Sequence, residues 1–305
     1  MAVSISCLAG SAGPRAASRA LPRGKAHRRL TILLPLLTAM TTPGLAQAQA
    51  QPGVERPLWE LGVGAAAVSL PHYRGAEKSR AWLLPMPYFV YRGEILRADR
   101  EGLKLLLLDR ERLHLDLSAS ATAPADSDDE PARHGMADLD GTLEIGPNLN
   151  WSLAQGPGWR LQARLPLRAA LTLSTQPRAI GWSALPNLNL DRRVGGWEMG
   201  AQLGWAWGSR RLNGYFYDVG PGDVTPARAA YRAGSGHAGW QATLSFSRRD
   251  GARWIGAFVR ADSLAGSALR HGPLVRRTNT FSFGIGVSWV LLQSGQLVRD
   301  RDELR

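Results

Sequence analysis

Apolar and polar residues alternate almost without exception from Trp159 to Ser174. Odd positions carry Trp, Leu and Ala, whereas even positions carry mainly Arg, Gln, Thr and Ser. Because a β-strand directs successive side chains to opposite faces, this segment has one apolar and one mostly polar face. At ~3.3 Å per residue it reaches about 50 Å, longer than strands of soluble domains usually are. The pattern is typical of a transmembrane β-barrel, which is apolar outside and polar inside.

Five further segments show the same alternation, so the sequence predicts an all-β protein, an antiparallel transmembrane β-barrel. We expect about 12 strands, within a range of about 10–14, because single-chain bacterial barrels have an even number. The small inward residues favour a narrow, largely filled lumen. The predicted strands are 59–68, 82–91, 94–108, 111–121, 138–154, 159–174, 180–192, 196–207, 209–217, 237–248, 252–262 and 279–292.

Longer connections are predicted at 69–81, 122–137, 218–236 and 263–278. Barrels of this class have long loops on the outside and short turns in the periplasm. The predicted strands do not bring all four connections to one side. Two alternatives stay open: an additional strand near 228–233, or two strands within 94–108, divided at Gly102.

The first 50 residues have the order of a secretory signal peptide. Six basic residues and no acidic one precede or border a short apolar run from Leu30 to Met40. Small residues follow, so we expect cleavage after Ala48 or Ala50 and a single outer-membrane barrel domain over 51–305. The apolar run is shorter than the ~20 residues that a membrane-spanning helix needs.

Charge and cysteine content narrow the function further. Without the leader, 31 basic residues stand against 25 acidic ones, which gives a net charge of +6. No nucleic-acid motif or basic stripe occurs, so nucleic acid is not an expected partner. Cys7 lies in the leader, and the mature chain therefore has no disulfide, thiolate metal site or cysteine nucleophile. The expected surroundings are outer-membrane lipid and lipopolysaccharide.

Tryptophan is concentrated near the ends of predicted strands. We expect aromatic girdles at the two membrane interfaces; packing within a soluble β core is the alternative. The girdle candidates are Trp59, Trp82, Trp151, Trp159, Trp197, Trp254 and Trp289.

Several short clusters follow one another along the chain in a specific order. They have the forms P-x-Y-x-G (Pro71, Tyr73, Gly75), P-x-P-aromatic (Pro85, Pro87), R-x-G-M-x-D (Arg133, Gly135, Met136, Asp138), E-x-G-P (Glu144, Gly146, Pro147) and L-P-L-R (Pro166, Arg168), with Tyr217, Tyr231 and Pro273 further on. Over residues 58–291 this order resembles the MipA/OmpV family of outer-membrane proteins. The chain departs from the family where His271-Gly272 replaces the usual Asp-Ser before Pro273.

The resemblance implies a barrel in the outer membrane of a Gram-negative cell. In the best-known family member it implies a scaffolding role between murein synthases and the lytic transglycosylase MltA, so both enzymes are candidate partners here. Other members are treated as porin-like, adhesive or stress-related, and the family alone does not fix the function. A porin-like channel for small solutes is therefore the alternative.

Arg160, Arg164 and Arg168 lie on one polar strand face, about 13 Å apart. They could form an anion-attracting stripe in the lumen. The favoured interpretation is an internal ion-pair network with Glu144, Asp140 or Glu198, because unpaired buried charges are costly. Arg160, Arg164, Arg168 and Glu144 are the lumen-facing candidates.

Neither an enzyme site nor a metal site emerges from the sequence. The acidic segment 126–130 lacks the ligand spacing and glycine of a calcium loop, and a solvated surface loop is favoured. The histidines of the mature chain do not show the spacing of metal ligands. His114, Asp116 and Ser118 are parallel neighbours on one strand, an arrangement unlike a catalytic triad. We expect no catalytic residue, cofactor or metal.

Overall fold

The computed structural model describes residues 55–93, 96–99, 102–105, 108–110 and 112–299. The predicted signal peptide over 1–50 lies outside the described residues and stays a prediction. In the described part, no helix has the length and apolarity that crossing a bilayer requires.

The described residues form sixteen β-strands and one α-helix, with a short 3-10 turn at Pro221–Asp223. The helix α1 is Arg210–Tyr217. The strands are β1 (Glu55–Pro57), β2 (Trp59–Pro71), β3 (Ser79–Arg92), β4 (Leu96–Asp99), β5 (Gly102–Leu105), β6 (Leu108–Asp109), β7 (Leu113–Thr122), β8 (Gly141–Gly156), β9 (Trp159–Leu173), β10 (Ala179–Ala184), β11 (Asn187–Val194), β12 (Trp197–Gly208), β13 (Gly236–Asp250), β14 (Arg253–Ser263), β15 (Asn279–Gln293) and β16 (Leu297–Arg299).

Fourteen strands form one antiparallel sheet in which neighbours in sequence are mostly neighbours in space. The sheet runs from β5 through β4, β3 and β2 to β15, and then back through the remaining strands to β7 and β6. Since β5 also lies against β7, the sheet closes into a barrel. Strands β10 and β11 share one position in the wall, as do β5 and β6, so the predicted all-β barrel of about 12 strands is confirmed. β1 pairs with β16 as a separate two-stranded ribbon.

Two strand predictions need correction. The segment 209–217 is the helix α1 and not a strand: Ser209 caps it by accepting a hydrogen bond from the Leu212 amide. The segment 94–108 is not one strand, because its described residues form a β4–β5 hairpin in which Asp99 pairs with Gly102. No additional strand lies at 228–233.

These corrections resolve the orientation of the loops. With the helix removed from the strand list and 94–108 divided, the long connections 72–78, 123–140, 209–235 and 264–278 all follow strands that run in the same direction. They therefore lie together at one end of the barrel, here called the loop end. The other end, here called the turn end, carries the short turns and the β1–β16 ribbon.

The alternation of side chains produces the expected two faces. Outward positions such as Val63, Leu83, Leu165 and Ile285 are exposed and apolar. Inward positions are polar and buried, and include Thr142, Gln162, Thr172, Gln202, Thr243 and Ser282. An outside that is apolar over the height of the wall suits contact with lipid.

Pro166 leaves the register of its own strand unchanged. A bulge or bend is expected at this position, because proline cannot donate a ladder hydrogen bond. The β8–β9 pairing has the same register on both sides of Pro166, and its irregularity lies instead between Ser152 and Ala154. On the other side the carbonyl of Pro166 accepts from the Leu185 amide at 3.3 Å. Without an N–H to return this bond, Pro166 faces the break between β10 and β11.

The tryptophans form two bands, with two exceptions. Outward tryptophans at the turn end include Trp151 and Trp289, and those at the loop end are Trp182, Trp205, Trp207 and Trp240. The rings of Trp205 and Trp240 pair across neighbouring strands with centroids 4.8 Å apart. Trp82 and Trp254 share the inward register of Tyr88 and Phe258, so the girdle prediction is wrong for these two.

Candidate functional site

The four long connections at the loop end fold into one packed layer, here called the cap. Its interior is apolar: Leu264, Leu269 and Leu274 are almost completely buried and pack with Tyr73 and Tyr217. Because these residues come from three different connections, the cap has a hydrophobic core of its own.

The P-x-Y-x-G cluster builds the first corner of the cap. The Tyr73 hydroxyl donates to the carbonyl oxygen of Leu274 at 2.7 Å, which joins the first and last long connections. Gly75 has φ +86°, a left-handed conformation that favours glycine. Its carbonyl oxygen accepts hydrogen bonds from the amides of Arg276 and Arg277 at 2.8 and 3.1 Å.

Arg133 of the R-x-G-M-x-D cluster is buried in the cap. Its guanidinium donates to Ser127 Oγ at 3.1 Å, to the Ala137 carbonyl at 2.9 Å and to the Phe216 carbonyl at 3.1 Å. The last bond crosses to helix α1. Bonds from one planar cation to three acceptors fix the two segments in a single arrangement.

The aromatic positions complete the cap. The Tyr217 hydroxyl donates to the Arg74 carbonyl at 2.8 Å, and its ring packs edge-on against Tyr73 with centroids 5.8 Å apart. The Tyr231 hydroxyl donates to the Ala268 carbonyl at 3.2 Å. Family-motif positions thus hold distant loops together.

The acidic segment is solvated, as the sequence favoured, at Asp126, Asp128 and Asp129, but not at Glu130. Glu130 is completely buried, and its carboxylate accepts hydrogen bonds from the amides of Glu77 and Lys78 at 3.2 and 3.0 Å. Asp129 forms an exposed ion pair with Arg80 at 3.4 Å. The segment therefore supports the neighbouring connection. No cluster of potential metal ligands occurs among the described residues.

Burial controls the ionisation of the cap tyrosines. Burial, reinforced by the nearby Glu130 carboxylate, raises the pKa of Tyr73 above its ordinary value of 10.0. Burial likewise raises the pKa of Tyr217, and the Arg74 charge offsets only part of this effect. Both hydroxyls therefore stay protonated at neutral pH and can donate their hydrogen bonds.

A chamber of about 400 Å³ lies beneath the cap. Its roof includes Tyr73, Leu212, Phe216 and Leu269 from three of the connections. Its wall is polar and includes all four of the residues that the sequence placed in the lumen: Glu144, Arg160, Arg164 and Arg168. The volume is in the range of small-molecule sites.

In the lumen, two arginines repeatedly share one carboxylate. Asp191 faces Arg160 at 3.8 Å and Arg164 at 3.4 Å. Asp262 pairs with Arg74 at 3.1 Å and with Arg260 at 2.9 Å. Among the described residues, the arginines of these clusters outnumber the carboxylates, which favours anions.

The arginine ladder forms an internal network: the Glu144 carboxylate interacts electrostatically with Arg168, as predicted, but the partner of Arg160 and Arg164 is a different residue. The shared acceptor is Asp191 of the neighbouring strand β11. Glu144 accepts from the Ser183 hydroxyl, Glu198 pairs with Arg193 at 3.0 Å, and Asp140 lies 3.9 Å from Arg178. Arg168 donates from Nε to Ser118 Oγ at 3.0 Å. Arg168 of β9 thus reaches β7 past β8, and Glu144 of β8 bonds to β10 past β9.

A third cluster of this kind lies near the turn end. The Glu60 carboxylate, only 1% exposed, pairs with Arg92 at 2.9 Å and with Arg249. Arg249 belongs to β13, so its side chain reaches past β14 and β15 to β2. Glu60, Asp191 and Asp262 were missed by the sequence reasoning. The alternation could have identified them, since each is an acidic residue at an inward position of an alternating segment.

Most of the wall and the whole cap match one family model. The model described as MltA-interacting protein MipA matches residues 63–291. The chain belongs to the MipA family. The match includes the strands β3–β14 and all four connections of the cap. The resemblance found in the sequence is confirmed, and the chain is an outer-membrane β-barrel protein.

Solved structures with a similar fold are also outer-membrane proteins. An outer membrane channel from Pseudomonas putida F1 is 12% identical in sequence, with a TM-score of 0.45. The match covers 79% of this chain and 98% of the channel's chain. Outer membrane phospholipase A from Escherichia coli is 11% identical, with a TM-score of 0.30, and the match covers 77% of this chain and 94% of the phospholipase chain. A porin is 9% identical, covers 76% and 100%, and has a TM-score of 0.30. No curated protein matches the sequence.

Proposed function

We propose that this MipA-family barrel is a non-enzymatic interaction protein of the Gram-negative outer membrane. It acts as a scaffold in murein maintenance, with a lytic transglycosylase and a murein synthase as partners. The observation that carries the proposal is the filling of the lumen near both ends. The cap packs over the loop end, and the Arg249–Glu60 ion pair lies on the inward face of the wall near the turn end. Such a barrel offers fixed surfaces without needing an open pore.

The surface for periplasmic partners is the turn end. Long loops of outer-membrane barrels face outside and short turns face the periplasm. The β1–β16 ribbon extends this end, and Leu297 in it is 55% exposed. The exposed edges of a two-stranded ribbon can pair with an extended segment of a partner protein, and Leu297 would then contact that segment.

The experiment is retention of murein enzymes on the immobilised, folded barrel. We expect the wild-type protein to retain a lytic transglycosylase, and Leu297→Asp to lower the retained amount at least severalfold. Val224→Asp is the matched control, because Val224 is an exposed apolar residue of the cap, 47% exposed. Failure of the wild type to retain any murein enzyme contradicts the scaffold proposal. Equal loss in both variants contradicts the assignment to the turn end.

A channel for small anionic solutes is the second candidate. The arginine excess around Asp191 and Asp262 supports it. Steady anion-selective currents through the purified protein in a planar bilayer would favour the channel and contradict a purely scaffolding barrel.

A further inference from the structure

Three exposed arginines surround a cleft on the rim of the barrel at the loop end, here called the arginine cleft. It has a volume of about 320 Å³ and lies between β10 and helix α1. Its lining includes Arg178, which precedes β10, and Arg210 and Arg211 from the first turn of the helix. The arginine cleft shares no lining residue with the chamber beneath the cap.

The fold directs these arginines away from the barrel interior. Leu212 packs inward on the β9–β10 hairpin, which leaves Arg210 and Arg211 exposed beside it. The Arg211 guanidinium donates to the Ala179 carbonyl at 2.8 Å, so it lies against the end of the strand. Ala179 pairs with Leu171, which has the outward register of the apolar face of β9. The cleft therefore borders the outer surface of the wall.

An aromatic surface lies on the outward face of the same sector. Trp182 of β10 and Trp207 of β12 are 48% and 44% exposed, and Trp240 of β13 extends this surface. Arg178 lies four residues from Trp182 toward the loop end. Tryptophan marks the interface between the hydrocarbon and the headgroups, and the loop end of such barrels faces outside. The arginine cleft thus lies at the level of the headgroups of the outer leaflet.

Positive charge predominates in the lining of the arginine cleft. Three guanidinium groups stand against the one carboxylate of Asp218, which lies 3.4 Å from Arg210. Outside the lining, Asp140 lies 3.9 Å from Arg178. Both ion pairs are long and partly exposed, and pairs of this kind contribute little stability. Arg211 donates to a neutral carbonyl. A phosphate in the cleft would therefore displace only weak interactions.

We propose that the arginine cleft binds a phosphate group of lipopolysaccharide in the outer leaflet. The phosphate accepts charge-assisted hydrogen bonds from Arg178, Arg210 and Arg211, and the lipid part lies along Trp182. Guanidinium groups bind phosphate in a bidentate geometry, and basic pockets at a membrane surface bind anionic headgroups. Lipopolysaccharide is the phosphorylated lipid that faces outside. The site lies opposite the turn end and goes beyond the scaffold proposal.

The test is titration of the full-length folded protein in dodecyl maltoside with lipid A, the phosphorylated anchor of lipopolysaccharide. Native mass spectrometry counts the bound molecules. We expect a saturable complex with one diphosphorylated lipid A, and about tenfold weaker binding of lipid A from which both phosphates have been removed. This comparison needs no variant. Equal binding of the two forms, or equal binding of phosphatidylglycerol or inorganic phosphate, would overturn the proposal.

A matched pair of charge variants locates the site. Arg178→Gln/Arg211→Gln should weaken the binding of diphosphorylated lipid A about tenfold. Arg232→Gln/Arg270→Gln removes the same charge from exposed positions of the cap and should leave the affinity unchanged. Equal effects of the two double variants would show a response to net charge alone and would contradict a site in the arginine cleft.

A matched pair of tryptophan variants tests the position of the lipid. Trp182→Ala should weaken binding severalfold, because the lipid loses its contact beside the cleft. Trp289→Ala removes an equally exposed tryptophan at the turn end, 47% exposed against 48%, and should have no effect. Circular dichroism verifies that each variant is folded. Unchanged binding in Trp182→Ala, or equal weakening in both, would contradict the placement of the lipid along β10.

Discussion

At the scale of single residues, the cap depends on a few side chains that join segments far apart in the sequence. Tyr73 bonds to a residue 201 positions away, Tyr217 to one 143 positions away and Arg133 to one 83 positions away. Each of these side chains is largely buried. Replacement of such a side chain therefore leaves a buried carbonyl oxygen without a donor. The resulting loss of stability is larger than the net stabilisation that one hydrogen bond provides.

Arg133→Gln tests this dependence. Glutamine cannot replace three guanidinium bonds, so we expect the cap to lose about 1–3 kcal/mol of local stability. Limited proteolysis of the folded protein should then cut the 123–140 connection faster than in the wild type. Arg232→Gln, an exposed arginine of the same layer, is the control and should leave the rate unchanged. Equal protection in both variants would show that Arg133 does not hold the cap.

The two buried tyrosines predict a dependence on alkaline pH. Burial raises both pKa values above 10.0 in the folded state. Their contribution to the free energy of unfolding is thus complete below about pH 10, where tyrosine in the unfolded chain is also protonated. This contribution falls as the pH rises further. Near-UV circular dichroism should report loosening of the cap above about pH 10. The double variant Tyr73→Phe/Tyr217→Phe should flatten this dependence, and a wild-type signal constant up to about pH 11 would contradict the account.

The sequence predicted many inward residues but not their partners. Alternation placed Arg160, Arg164 and Arg168 in the lumen because the period of a strand is local information. It did not identify Asp191 as the shared acceptor, since the choice depends on which strands are neighbours and in what register. The same limit applies to Glu130, whose burial follows from a neighbouring loop.

At the scale of elements, helix α1 shows how a local signal can be misread. Leu212, Tyr215 and Phe216 give the segment an apolar content that resembled a strand. In the structure Ser209 Oγ accepts from the Leu212 amide at 3.3 Å and from the Trp182 amide at 3.0 Å. Leu212 then packs on Ala170 and Ile180 at the mouth of the barrel. The N-cap residue of the helix and the packing surface that other strands provide determine the conformation of this segment.

Ser209→Ala should destabilise this element. Loss of an N-cap side chain costs about 1 kcal/mol, and here the Trp182 amide also loses its acceptor. Hydrogen exchange at α1 should become faster, while exchange in β13 and β14 should not change. Ser209→Asp keeps an acceptor at the N-cap and should retain protection. Unchanged exchange at α1 in Ser209→Ala would argue against a capping role.

At the scale of the whole molecule, the order of the strands followed from the sequence, whereas the closed ends did not. Successive antiparallel strands joined by short turns are usually neighbours, so the barrel was predictable from the alternation. The cap combines four connections separated by long stretches of chain, and the Glu60–Arg249 pair joins β2 to β13 past two intervening strands. Contacts of this kind leave no periodic signal in one sequence.

Conductance of the purified wild-type protein in a planar bilayer tests the filled lumen most directly. The cap over the loop end and the Arg249–Glu60 ion pair near the turn end predict no steady current at neutral pH. A porin measured under the same conditions is the positive control. A stable, ohmic single-channel current from the wild-type protein with an intact cap would contradict the account.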